Sequence, residues 1–414
     1  VADLTHAAAA GGRLPATARR PVAALVVAQA VSGLGSQMTF VALPWFVLQT
    51  TGSASRMGLV IAAELLPVAI LGIPSGTVIA RVGARRTMLV ADLARAPLIA
   101  AIPALHALGA LSLGVMLALV ALVGVFIAPY FSAQRILLAE IVGDDPGTVT
   151  RANALVEMTQ RSTSLLGPAL AGVLIAAFGS TSVLYVDALT FLVAFGVLAT
   201  FVARRPPVAA TDESRGVLAG LRYLLGSRLL GALGITAMLL NMFGLMLVAG
   251  LSVLAYEEFG QSSRVAGAFF TALGAGSVAG GFAVMALLRR FEPLRIAAVG
   301  LVGLSLPLWA LAFVIPLPLV IVALFLSGLV GGIVNAPLIG VITTRTPEAL
   351  RPKVMTAVIT TALLAGPLGL LIAGPLLEAW GPHVVFALVA GGELLAALPF
   401  AVVAFSFAAA EPAP

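Results

Sequence analysis

Ionisable side chains stand inside long apolar runs of this chain at Glu64, Asp92, Arg95, Glu157, Arg161, Asp187 and Glu393. Such groups are costly within a bilayer, and their default reading is a proton or substrate path. Glu157 and Arg161 are four residues apart, so on a helix they share a face and can pair. Two readings of that pair stand side by side. In one, protonating Glu157 frees Arg161 for a new partner; in the other, the pair is a fixed ionic tie between neighbouring helices. Glu64 lies mid-run, three residues before Pro67, with no basic residue nearby in sequence. That isolation suits proton uptake near neutral pH. Asp187 reads either as a second coupling group or as a packing and capping group. Asp92 and Arg95, three apart, stand at the inner end of their run, beside the basic turn that contains Arg81, Arg85 and Arg86. They read as part of a gate there, together with Gly76 and Gly83.

Other chemistries find little support. Cysteine is absent, which excludes disulfides and thiolate metal sites. His6, His106 and His383 are scattered, so no metal site and no intramembrane enzyme is expected, and no cofactor. The run LGAGSVAGG, Leu273 to Gly281, lies in an apolar segment and carries no lysine. It reads as close helix packing rather than as a phosphate loop, which argues against ATP as the energy source.

The elements that must position these groups are membrane helices. Hydrophobic residues make up 61% of the 414 and charged residues 10%, against roughly 45–50% and about 25% in soluble domains. Twelve apolar segments are long enough to span: about 22–49, 57–79, 87–108, 112–134, 150–177, 182–203, 229–256, 264–288, 294–314, 317–343, 353–379 and 383–407. Loops on one side of this set hold 19 of the 23 basic residues, and loops on the other hold Arg56 and Arg264. Positive loops stay inside, so both termini are expected in the cytoplasm of a bacterial-type plasma membrane. The net charge of +6 is thereby a topology signal and not a nucleic-acid one. Trp45, Trp309 and Trp380 fall near outer span ends, where an interfacial belt is expected.

The chain also repeats itself. Arg289 follows Arg81 by 208 residues, and SSRVAG (Ser262 to Gly267) answers SASRMG (Ser53 to Gly58) at a similar step. Gly167-Pro168 in span 5 is matched by Gly366-Pro367 in span 11, and both read as kinks and packing notches. Two similar halves follow. The expected organisation is a flexible tail over 1–20, a six-helix half over 21–203, a linker with an amphipathic helix over 204–228, and a second six-helix half over 229–408.

The loop Gly76, Arg81, Gly83, Arg85, Arg86 resembles the first cytoplasmic loop of the major facilitator superfamily. Ala80 and Ala84 stand where that family carries an acidic and a basic residue. LGSQMTFVALPWFVLQTTGSA (Leu34 to Ala54), LVADLARA (Leu89 to Ala96), RANALVEM (Arg151 to Met158) and DALTFL (Asp187 to Leu192) resemble its macrolide-efflux and siderophore-exporter-like branch. The resemblance implies an all-α, twelve-helix fold of two pseudo-symmetric halves that acts as a monomer by alternating access. It also implies a central cavity lined by spans 1, 4, 7 and 10. Candidates there are Gln29, Ser32, Gln37, Phe126, Tyr130, Met238, Asn241, Met242, Met246 and Asn335. Few charges with methionines and aromatics suit bulky lipophilic solutes. Span 12 is peripheral in the family, so Glu393 reads as a packing residue. The implied activity is proton-coupled export of lipophilic or amphipathic small molecules. A transporter of one metabolite or siderophore is the alternative, and a sensor without flux a more distant one.

Overall fold

A computed structural model describes residues 16–72, 75–143, 146–203, 221–347 and 350–410. Most of the expected tail and the linker residues 204–220 lie outside these. In lipid every backbone polar group must be satisfied within its own segment, so long apolar runs become helices. They are α1 (Ala16–Thr51), α2 (Ala54–Leu71), α3 (Ala84–Ala107), α4 (Leu113–Val142), α5 (Pro146–Phe178) and α6 (Ser180–Phe201). A short helix, Ser75–Val82, follows α2. The second set is α7 (Arg228–Glu257), α8 (Ser263–Leu287), α9 (Pro293–Leu304) with a 3₁₀ turn Pro307–Ala312, and α10 (Leu317–Thr344). The helix Arg351–Ala410 is broken at Gly381, whose φ of 76° and ψ of 175° are non-helical. It forms α11 before the break and α12 after it, which completes twelve spans. Serine hydroxyls cap the starts of α2, α4, α7 and α8 by accepting from the backbone three residues on.

The two halves are built alike. In the first, α1 packs on α5 and α6, α2 on α4, and α3 on α4 and α6. In the second, α8 packs on α10, and α9 on α10 and α12. There α7 meets α11 at Gly366 and Gly369, and meets α12 at Gly250 and through a bond from Thr236 to the Ala396 carbonyl. Each pairing in one half recurs six helices later in the other.

Among the described residues the apolar cores are three. One is shared by both halves and runs from Met38 to Leu48 in α1 through Met246 to Ala255 in α7 to Leu370 and Val389. The other two are private: Ala18, Ile79, Tyr130 and Leu198 belong to the first half, and Leu230, Leu301, Val354 and Phe400 to the second. The shared core lies at the end away from the basic turn, and the private cores lie at the basic end. The halves are therefore joined at one end and separate at the other. Trp45 belongs to the joint. It is 1% exposed and stacks edge-on against Tyr256 of α7 at 5.7 Å. The belt reading fails for Trp45, because a ring at the seam gains more by burial between halves than by facing headgroups. Trp309 and Trp380 remain exposed. The linker's apolar face is split too: Leu224 is buried on the second half while Leu225, a hundred degrees round a helix, is exposed.

Candidate functional site

A cavity of about 220 Å³ opens in the first half. Gln29, Ser32, Gly33, Ser36 and Gln37 of α1 line one wall. Their spacing of three and four residues places them on one helical face. Gln160, Thr163 and Ser164 of α5 face them, Tyr130 and Phe131 of α4 close a side, and Arg95 of α3 reaches in. The walls are tied by neutral hydrogen bonds. Gln134 Nε2 donates to Gln29 Oε1 at 2.7 Å, and Gln37 Nε2 donates to Ser164 Oγ at 2.9 Å. The Ser32 and Tyr130 hydroxyls are 3.4 Å apart.

Behind this wall lies the main concentration of buried charge. Arg95 Nη2 is 2.8 Å from Asp92 Oδ1, with side-chain exposures of 6% and 0%. The guanidinium lies over the Tyr130 ring at 4.5 Å and over the Phe191 ring at 4.2 Å. Two aromatic faces and one carboxylate thus replace its water. Asp92 Oδ2 has no hydrogen-bond partner among the described residues. On α6, Asp187 accepts from Thr39 of α1 at 2.5 Å and from Thr190 at 3.2 Å. Gly35 makes that approach possible, because a methyl group there would strike Asp187 and Thr190. Glu64 of α2 is close enough to Asp187 and Arg95 to feel both charges. Asp92 is thus in contact with Arg95, and Glu64 and Asp187 lie within range of its charge.

This placement changes the expected grouping. Asp92 and Arg95 join Glu64 and Asp187 in the interior rather than Arg81 and Arg85 at the turn, because their side chains point between α4 and α6. Arg85 instead donates to the carbonyls of Val202 at 2.5 Å and Ala199 at 2.8 Å, closing the last turn of α6. Arg81 and Arg86 are exposed, Gly76 is partly buried, and Gly83 turns the chain with φ of 90°. Glu157 and Arg161 pair at 2.8 Å, with exposures of 56% and 51%. They share the α5 face that carries Ser164, but they neither line the cavity nor join the buried network.

On the second half, Met238, Asn241 and Met242 are partly buried along α7, and Asn335 of α10 is exposed. Asn241 Oδ1 has no hydrogen-bond partner among the described residues and lies beside Gly366. Met246 is 3% exposed within the shared core, so it supports the joint and not a cavity wall. Phe126 packs on the private core of the first half. Both Gly-Pro pairs are close-packing points: Gly167 sits on Gln37, Pro168 O on Gly267, and Gly366 on Leu245, while α5 and the α11 segment continue through Pro168 and Pro367. Glu393 is buried and its Oε2 has no hydrogen-bond partner among the described residues.

Sequence reasoning missed Gly33, Ser36, Phe131, Gln160, Thr163, Ser164 and Phe191. For all but the two aromatics the signal was present, as a polar stripe at helical spacing on α1 and α5.

Residues 16–413 match the transmembrane secretion effector family of the major facilitator superfamily. The multidrug efflux pump Tap of Mycolicibacterium fortuitum is 31% identical over 387 residues, covering 89% of this chain and 92% of that one. The fold is similar to a bacterial homologue of the human lysosomal transporter Spinster, solved inward-facing and unoccupied. The TM-score is 0.76 at 14% identity, over 97% of this chain and 100% of that one. The nucleoside transporter NupG is similar at a TM-score of 0.74 and 14% identity, over 93% of this chain and 99% of that one.

Proposed function

The chain belongs to the transmembrane secretion effector family of major facilitator transporters, and from that premise we propose that it exports amphipathic small molecules in exchange for protons. The similarity to a multidrug efflux pump supports the substrate class and the direction. The basic end, where the halves are apart, faces the cytoplasm of a bacterial plasma membrane by the positive-inside rule. Substrate enters there as a monomeric transporter rocks between its two closures.

One observation carries the coupling: Arg95 lines the cavity while its counter-ion Asp92 is fully buried. A cationic or strongly hydrogen-bonding solute that disturbs Arg95 alters the charge balance of Asp92, Glu64 and Asp187 together. A carboxylate that loses its arginine in a dry site must take a proton, and one that regains it can release that proton. The neutral amide and hydroxyl wall on α1 and α5 faces the polar side of the solute, and Met238 and Met242 of α7 are assigned to its apolar side. Energised accumulation of dyes and macrolides in everted membrane vesicles tests the reading. Accumulation confined to one metabolite or siderophore would instead favour a narrow transporter.

A further inference from the structure

We propose that Glu378 holds the two halves together at the joined end, as an N-terminal cap for α2 that the opposite half supplies. The inference is independent of what is transported.

Ser53 is the N-cap of α2. Its Oγ accepts from the Arg56 backbone N–H at 3.1 Å, which leaves the hydroxyl proton free to be given away. That proton goes to Glu378 Oε1 at 2.5 Å. The backbone N–H of Ser55, a first-turn donor with no partner inside its helix, goes to the same oxygen at 3.0 Å. Ser55 Oγ donates to Glu378 Oε2 at 2.5 Å. Both carboxylate oxygens are thus engaged at a helix start, where the backbone dipoles favour an anion, and Arg56 adds its charge from α2. Glu378 belongs to α11, three residues before the break at Gly381. Its partners lie more than 320 positions away in the chain, across the seam between halves.

The helices beneath the cap meet backbone to backbone. A methyl group on Gly374 would come within 2.6 Å of the Ser55 Cα, and one on Gly58 within 2.5 Å of the Leu370 carbonyl. Contact this close fixes the register of α2 on α11, so the carboxylate reaches its three donors only while the seam is shut. Glu378 itself is exposed at the rim, where water competes for it. That makes the cap releasable rather than permanent.

The duplicated seam shows what is specific here. Between α5 and α8, Gly172 and Gly267 make the same backbone contact. Gly179 ends α5 with φ of 83°, as Gly381 ends α11 with φ of 76°. Three residues before Gly179 stands Ala176. Without an acid opposite it, Ser263 donates to the Gly172 carbonyl at 3.2 Å. One seam is sealed by packing and a single hydroxyl-to-carbonyl bond, and the other by packing and a carboxylate that takes three donors. The first step of opening at this end is therefore the parting of α2 from Glu378.

The chain has no cysteine, so two introduced ones can be spin-labelled without interference. Tyr185→Cys on α6 and Val384→Cys on α12 are exposed at the joined end, one in each half. Pulsed dipolar distances in the parent pair should give one short population. Glu378→Ala and Glu378→Gln should each raise the long-distance fraction by roughly three- to tenfold, the scale of a lost helix cap. Ser53→Ala with Ser55→Ala should give the same shift and add nothing to Glu378→Ala. Ser263→Ala at the other seam should leave the distribution unchanged. Should Glu378→Ala fail to fold, Glu378→Gln and the serine pair carry the test. Unchanged distances in the Glu378 and serine variants, or an equal shift from Ser263→Ala, would overturn the proposal.

Discussion

Asp92 and Arg95 form a 2.8 Å ion pair one turn apart on α3, sealed on the carboxylate side and open to the cavity on the guanidinium side. Asp92 is the carboxylate in contact with Arg95, so removing it leaves a buried guanidinium with the more distant charges of Glu64 and Asp187. Asp92→Asn should therefore destabilise the folded protein by about 3–5 kcal/mol. Asp92→Asn with Arg95→Gln removes both charges and should cost less than Asp92→Asn alone. Relative unfolding midpoints in one detergent check the order.

Phe191 and Tyr130 hold the guanidinium by their faces. Phe191→Leu keeps an apolar side chain but loses one face and some volume, at an expected cost of about 0.5–3 kcal/mol. Tyr130→Phe keeps the face and loses only a 3.4 Å contact to Ser32, so its midpoint should stay close to wild type. A larger loss from Tyr130→Phe than from Phe191→Leu would mean that the hydroxyl, and not the ring, positions Arg95.

Gly35→Ala puts a methyl group against Asp187 and Thr190 where α1 crosses α6. Overpacking of this kind costs about 1–3 kcal/mol. Thr190→Ala removes part of the obstacle and should restore some of the lost stability, which a double-mutant cycle measures.

The polar wall predicts a selective effect. Gln37→Leu and Ser164→Ala break the bond between α1 and α5 and remove groups that face a solute. Each should raise the KM of a hydroxyl-rich substrate by about fivefold, the size of one net hydrogen bond. An apolar dye should be affected little. Equal effects on both substrates would place the wall outside the binding path.

The span pattern and the two halves were legible because lipid allows so few backbone solutions. Apolar length, loop charge and the repeated Gly-Pro pairs all report that constraint directly. Depth and rotation were not legible. Arg95 stands ten residues after Arg85 on the same helix, yet one side chain turns inward between α4 and α6 and the other binds the end of α6. Nothing local in sequence distinguishes them. Trp45 resembles a belt tryptophan by position, and its burial follows from α7 lying across it. Ser36 and Thr163 were legible in principle, because their spacing with Gln29 and Gln160 marks a face on each helix. Glu378 was passed over near the end of a span, because its donors lie on the opposite half.

The most direct measurement is dye or macrolide accumulation in energised everted vesicles, with and without a protonophore, for wild type, Glu157→Gln and Asp92→Asn. Glu157 and Arg161 are an exposed pair, which contributes little. Wild type and Glu157→Gln should both accumulate substrate, and the protonophore should abolish it. Asp92→Asn should lose accumulation while still passing substrate down its gradient, which shows a folded but uncoupled carrier. Protonophore-sensitive accumulation that survives in Asp92→Asn, or is lost in Glu157→Gln, would contradict a coupling centre at Asp92 and Arg95.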